Sequence, residues 1–132
     1  MKSYILLAYL FFMIPQTVKT IEDYRWKNRL VIMNFENLAV DSLLVRSLKQ
    51  SEDRKLLFVE FMNDQFIKIS GEDEIDSAEF LKVLSQTNPN SEWALIGLDG
   101  GVKASGTYRE FSLKKIFQMI DQMPMRQSEL NR

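Results

Sequence analysis

Leu30-Val31-Ile32-Met33-Asn34-Phe35 is nearly continuous in apolar residues, the pattern of a strand buried on both faces of a parallel sheet. Glu36 and Asn37 follow as a turn, with Asn37 or Asp41 placed to cap a helix. Val40, Leu44, Val45 and Leu48 then fall at helical spacing up to about Gln50. Beyond the polar turn Ser51-Glu52-Asp53-Arg54, Leu56-Leu57-Phe58-Val59-Glu60-Phe61 reads as a second buried strand. Strand, helix and strand in this order predict a right-handed crossover with parallel strands.

Downstream, Phe66-Ile67-Lys68-Ile69 fits either a short edge strand or an ordered loop. Asp76, with Glu79 three residues on, has the form of a capping box for a helix striped by Phe80, Val83, Leu84 and Thr87. Asn88-Pro89 stops that helix, because the residue before proline leaves the helical region. Trp93-Ala94-Leu95-Ile96-Gly97-Leu98 is a strand, Asp99-Gly100-Gly101 a hairpin turn, and Val102-Lys103-Ala104 the antiparallel return. Ser112 is placed to cap a last helix with Leu113, Ile116, Phe117 and Ile120 on one face, which Pro124 ends. The order β-α-β-α-β-β-α predicts an α/β, thioredoxin-like domain: a central four- or five-stranded mixed sheet with helices on both faces.

Ahead of the first strand, Tyr4 to Ile14 is an unbroken apolar run behind Lys2, broken by Pro15. The run suits a signal h-region and is too short to span a bilayer. Residues 1–20 are therefore expected to be a signal peptide, and 21–132 a single domain, periplasmic or secreted, with no membrane span after cleavage. The cleavage region Val18-Lys19-Thr20 lacks the small residues such sites favour.

Composition limits the chemistry. The chain has no cysteine and no histidine, which excludes disulfides, thiol redox chemistry, thiolate metal sites and histidine acid–base catalysis. The formal charge of -1 offers no basic stripe for nucleic acid. The acidic run Glu72, Asp73, Glu74, Asp76 and Glu79 lacks calcium-loop spacing and reads as a solvated turn and helix cap. No metal and no cofactor are expected.

Three segments carry a family resemblance: Trp26-Lys27-Asn28-Arg29, Leu95-Ile96-Gly97-Leu98-Asp99-Gly100-Gly101-Val102-Lys103, and Ile120-Asp121-Gln122-Met123-Pro124-Met125-Arg126-Gln127. Together they resemble a family of small exported bacterial proteins of unassigned function. Its thioredoxin-like, peroxiredoxin-related domain also occurs in animal sushi-repeat extracellular-matrix proteins. The resemblance spans essentially the whole chain after the leader. In one departure, Leu98 stands where the family's hairpin usually carries lysine. The resemblance implies fold and compartment but no reaction.

The candidate binding residues are Trp26, Arg29, Asp99, Lys103, Asp121 and Arg126, and none is assigned a catalytic role. Trp26 reads either as a stacking platform or as a lid on the sheet edge, with Arg25, Lys27 and Arg29 in water. Hairpin geometry alone accounts for Asp99, and Lys103 would deter edge pairing. Arg126 reads as a structural fork onto a carboxylate such as Asp121, or as an anion or partner contact. The expected function is that of a non-redox binding module with an envelope or extracellular protein partner. The alternative is a hydrolase-like envelope enzyme using carboxylates and arginine. That would require two carboxylates in one cleft with separated pKa values, and no pair at a telling spacing is visible in the sequence.

Overall fold

The computed structural model describes residues 18–37, 40–70 and 73–131. The apolar run and the break at Pro15 lie outside the described residues, as do Gly71 and Glu72 of the acidic turn. A short helix α1 (Ile21–Tyr24) leads into strand β1 (Arg29–Phe35). Helices α2 (Asp41–Arg46) and α3 (Leu48–Asp53) cross to strand β2 (Leu56–Met62), which turns back as β3 (Gln65–Ile69). Helix α4 (Ser77–Thr87) precedes the hairpin β4 (Trp93–Ile96) and β5 (Val102–Gly106). Helices α5 (Leu113–Asp121) and α6 (Pro124–Leu130) complete the described chain.

The strands form one five-stranded mixed sheet in the order β3-β2-β1-β4-β5. β1 runs parallel to β2, and the other neighbouring pairs are antiparallel. The arrangement is consistent with a thioredoxin-like fold. Strand periodicity splits the core into two layers. Leu30, Ile32, Val59 and Phe61 face one side, where Tyr24 of α1 and Phe80 and Leu84 of α4 cover them. Val31, Met33, Phe35, Leu56 and Phe58 face the other, under Leu44 of α2 and Leu113, Ile116 and Ile120 of α5. Burial of each of these α5 side chains contributes roughly 1.5–3 kcal/mol.

Four local readings are refined. The helix expected from Val40 to Gln50 is two short helices that meet at Ser47, whose φ of -104° and ψ of 10° break the turn. Val40, rather than Asn37 or Asp41, occupies the N-cap of α2, and its own apolar side chain makes no capping hydrogen bond. The undecided segment at Phe66 is a true edge strand. Asn63 (φ 49°) and Asp64 (φ 66°) make the tight turn before it, and Asn34 bonds the Asp64 backbone N–H (3.0 Å) and carboxylate (2.7 Å). Asn and Asp tolerate this left-handed region better than other side-chain-bearing residues. Helix α5 stops at Asp121, with Met123 extended before Pro124, and Pro124 is also the first residue of α6, where its missing N–H costs no helical bond.

The N-terminal segment belongs to the folded body from Lys19 onward. Lys19 bridges Ile75: its N–H donates to Glu74 O at 2.8 Å, and its carbonyl accepts from Asp76 N–H at 2.9 Å. The Tyr24 hydroxyl donates to Asp73 at 2.8 Å beside it. Burial, reinforced by that carboxylate, pushes the Tyr24 hydroxyl pKa upward.

Candidate functional site

The expected candidate residues gather at one end of the sheet, where β1 begins and the β4–β5 hairpin turns. Asp99 sets the hairpin. Its Oδ1 accepts from Gly101 N–H at 2.9 Å, and Gly100 takes φ 83°, which glycine adopts without strain. The Asp99 Oδ2 accepts from Lys103 Nζ at 2.8 Å. That bond and the Gly101 N–H hold the Asp99 carboxyl below its ordinary pKa. Lys103 lies along Gly97: a Cβ there would sit 2.6 Å from Lys103 Cε and 3.2 Å from Asp99 Oδ1. Glycine at this position is what lets the lysine fold down over the strand end.

Trp26 is 56% exposed, takes φ 66°, and donates its backbone N–H to Leu98 O at 2.6 Å. The Arg25 guanidinium lies 5.1 Å from the Trp26 ring centroid. This tryptophan therefore ties the chain entering β1 to the hairpin through its backbone and leaves its ring open.

Arg29 differs from the solvated cation expected beside Trp26. Its residue is 1% exposed, at the first position of β1. Nη1 donates to Arg54 O at 2.8 Å and reaches Glu129 Oε1 at 3.3 Å. Nε and Nη2 are buried without a hydrogen-bond partner among the described residues. Burial of so polar a group is costly unless it is paired.

Asp121 and Arg126 sit behind Arg29 in one ion network. Arg54 forks onto Asp121 through Nε (3.0 Å) and Nη2 (2.8 Å) and stacks 4.5 Å from the Phe117 ring centroid. The Arg54 fork, with help from Arg126, keeps the Asp121 carboxyl below its ordinary pKa. Arg126 is 4% exposed. It donates to Asp53 O (2.8 Å), Asp53 Oδ2 (2.7 Å), Glu129 Oε2 (3.3 Å) and Asp121 Oδ1 (3.3 Å). Burial works against its charge, but these acceptors outweigh burial and raise its pKa. Glu129 thus bridges Arg29 and Arg126, and α6 is clamped to the end of α3. Asp53 and Arg54 had no signal in periodicity or spacing, because their partners lie far apart in the chain, whereas Glu129 stands three residues after Arg126, a helical spacing that could have marked it.

In front of this network is a pocket of about 340 Å³. Arg29, Gly97, Leu98, Asp99 and Lys103 line one side, and Met123, Pro124 and Met125 the other. Its walls are largely apolar, and its cations are Arg29 and Lys103. The structure thus brings Arg29, Asp99 and Lys103 together, puts Asp121 and Arg126 behind them as scaffold, and leaves Trp26 on the adjoining surface.

A second cleft, of about 390 Å³, runs between α2–α3 and β2–β3. Leu44, Val45, Leu48 and Phe58 contribute its apolar walls, and Asp41, Glu60 and Lys68 its polar side. Glu60 is 4% exposed on the α2 face of β2, hydrogen-bonded to Asp41. Lys68 Nζ lies 3.4 Å from Asp41 Oδ1 and 3.5 Å from Glu60 Oε2. Burial, followed by the neighbouring Asp41 carboxylate, pushes the Glu60 pKa up to about 7. The Glu60 hydrogen bond, aided by Lys68, pulls the Asp41 pKa down. The only available sequence signal was an acid, Glu60, inside an otherwise apolar strand. Its partner Asp41 could not be read from spacing.

Among the described residues, no helix is long and apolar enough to cross a membrane, and no group of three or more acidic residues could hold a metal ion. No curated protein and no solved structure matches the sequence. Residues 20–129 match a family described as a domain of unknown function, DUF4174. That match takes in every described strand and the whole ion network around Arg126, and the chain belongs to the DUF4174 family.

Proposed function

We propose that this chain is an exported, non-redox binding domain whose ligand seat is the pocket between the β4–β5 hairpin and the start of α6. One observation carries the reading: a buried arginine with unpartnered donors lines an apolar pocket at the end of the sheet. Buried polar groups ordinarily find partners, so these donors mark a place for an acceptor from outside the chain. An apolar cavity with a few convergent polar groups is the usual form of a ligand site. The absence of cysteine removes thiol chemistry from this reading.

Affinity capture from envelope and extracellular extracts tests it, with Met125→Trp as the blocked control. Met125 is exposed at the pocket wall, so an indole there fills the seat without disturbing the core. The reading expects a ligand or partner retained by the natural chain and lost by the variant at an unchanged melting temperature. Equal retention by both would overturn it.

Export rests on the leader-like run Tyr4–Ile14 and on the resemblance to exported, sushi-repeat-related domains. Because Lys19 is paired with the strand-like segment at Ile75, cleavage is expected before Lys19. N-terminal sequencing of the extracytoplasmic protein checks this, and intact Met1 on soluble cytoplasmic protein would refute export.

The carboxyl pair Asp41–Glu60 favours a second reading, a carboxylate-based, hydrolase-like envelope enzyme. Their pKa values are driven apart within one cleft, as acid–base pairs require. A hydrolase panel run on the natural chain and on Asp41→Asn decides it: activity abolished by the substitution supports this reading, and no activity on any substrate class opposes it.

A further inference from the structure

We infer that the hairpin-end pocket takes a carboxylate borne on a short apolar body, held side-on by Arg29 and steered by Lys103. This rests on the proposed binding role of the same pocket and names the ligand chemistry. A guanidinium presents two edges that can fork onto a carboxylate. In Arg29 the Nη1 nitrogen is spent on Arg54 O and Glu129. The two nitrogens left unpartnered, Nε and Nη2, are the pair that forms the other edge. Their N–H bonds run nearly parallel, the geometry that a planar carboxylate accepts in two hydrogen bonds.

Charge points the same way. The ion pairs at this end join five cations, the three arginines with Lys55 and Lys103, to four carboxylates. The excess cation is on the solvent side, and at the pocket itself the charges are Arg29 and Lys103 against Asp99. Lys103 can meet an anion there, because among the described residues its ammonium is ion-paired with the exposed Asp99 alone. An exposed pair of this kind contributes little and exchanges readily. Gly97 supplies the cradle along which Lys103 lies. Leu98, Met123 and Met125 give the apolar wall for the body of the ligand, and methionine adapts to irregular shapes. Leu98 puts an apolar side chain in this lining, so the wall suits a monoanion with an apolar tail better than a multiply charged group.

The shared carboxylate chemistry has two sources, a free acid and the end of a peptide chain. Isotope-labelled protein titrated with hexanoate, hexanamide, N-acetyl-leucine and N-acetyl-leucinamide, followed by NMR of the Arg29 Nε–H and of Lys103, separates them. At least one acid should bind at least about tenfold more tightly than its matched amide and move the Arg29 Nε–H signal, since hydrogen bonds to charged groups are the strong ones. The tighter of hexanoate and N-acetyl-leucine identifies the source. Lys103→Met should weaken that acid severalfold with its melting temperature unchanged, which separates binding from the scaffold role of Arg29. Equal affinity for acid and amide, no binding by any of the four, an unmoved Arg29 signal, or tighter binding of inorganic phosphate would each overturn the inference. In the first case, capture sensitive to Met125→Trp would still stand, so loss of the carboxylate chemistry is distinguishable from loss of the seat.

Discussion

Replacing Glu60 by glutamine should remove most of the pH dependence of stability between about pH 5 and pH 8. Glu60 is buried on β2, and its pKa rises from 4.5 to about 7 because burial and the Asp41 carboxylate both disfavour its charge. A group whose pKa is raised on folding stabilises the fold fully below its unfolded pKa. That contribution is lost as pH climbs through the folded value. At about 1.4 kcal/mol per pKa unit, this shift corresponds to roughly 3 kcal/mol lost between about pH 4.5 and pH 8. Asp41 works with the opposite sign and in another window: its lowered pKa stabilises the fold above its ordinary value and is lost only in stronger acid. With no histidine in the chain, no other side-chain type ordinarily titrates across this window. Glutamine can still donate to Asp41 but cannot ionise. Urea melts at pH 5, 6, 7 and 8 measure the effect. The natural chain should lose about 2–3 kcal/mol across the series, a midpoint change on the order of 1 M. The Glu60→Gln midpoint should stay nearly level, so that the variant is the more stable protein at pH 8. A natural chain that is level or gains stability toward pH 8, or a variant that falls in parallel with it, would refute the reasoning.

Arg126→Ala leaves three carboxylates facing a lost cation and should cost about 3 kcal/mol in a denaturant melt, with Arg126→Lys recovering only part because the planar fork is gone. Gly100→Val forces a β-branched residue to φ 83° and should cost more than about 1 kcal/mol, whereas the same change at Gly101, where φ is not left-handed, should cost less; thermal melts of the two single variants rank them. Gly106→Ala places a Cβ 3.0 Å from Trp93 Nε1 and should disturb the indole bond to Thr107 O, seen as a lowered melting temperature and a shifted tryptophan emission.

Much of the fold was legible because it rests on local physics. The apolar runs at Leu30 and Leu56, the caps at Asp76 and Ser112 and the glycines after Asp99 each act within a few residues, and each appears where expected. The Asn63-Asp64 turn was legible in principle, as a pair of residues that tolerate positive φ between the apolar residues Phe61-Met62 and Phe66-Ile67. The break at Ser47 was not legible, since Val40, Leu44 and Leu48 keep helical spacing across it.

The candidate site divides in the same way. Arg29, Asp99, Lys103, Asp121 and Arg126 stood out as sequence motifs, and composition alone excluded thiol and histidine chemistry. Which of them faces a pocket, and which is scaffold, depends on partners far away in the chain: Glu129 to Arg29, Asp53 to Arg126, Asp41 to Glu60. Such pairings carry no periodicity, because a charge–charge contact needs only proximity in space. The residue types and the local turns were therefore determined by the sequence. The unpartnered edge of Arg29 and the shared proton chemistry of Glu60 were decided by burial, which only the packed sheet and helices impose.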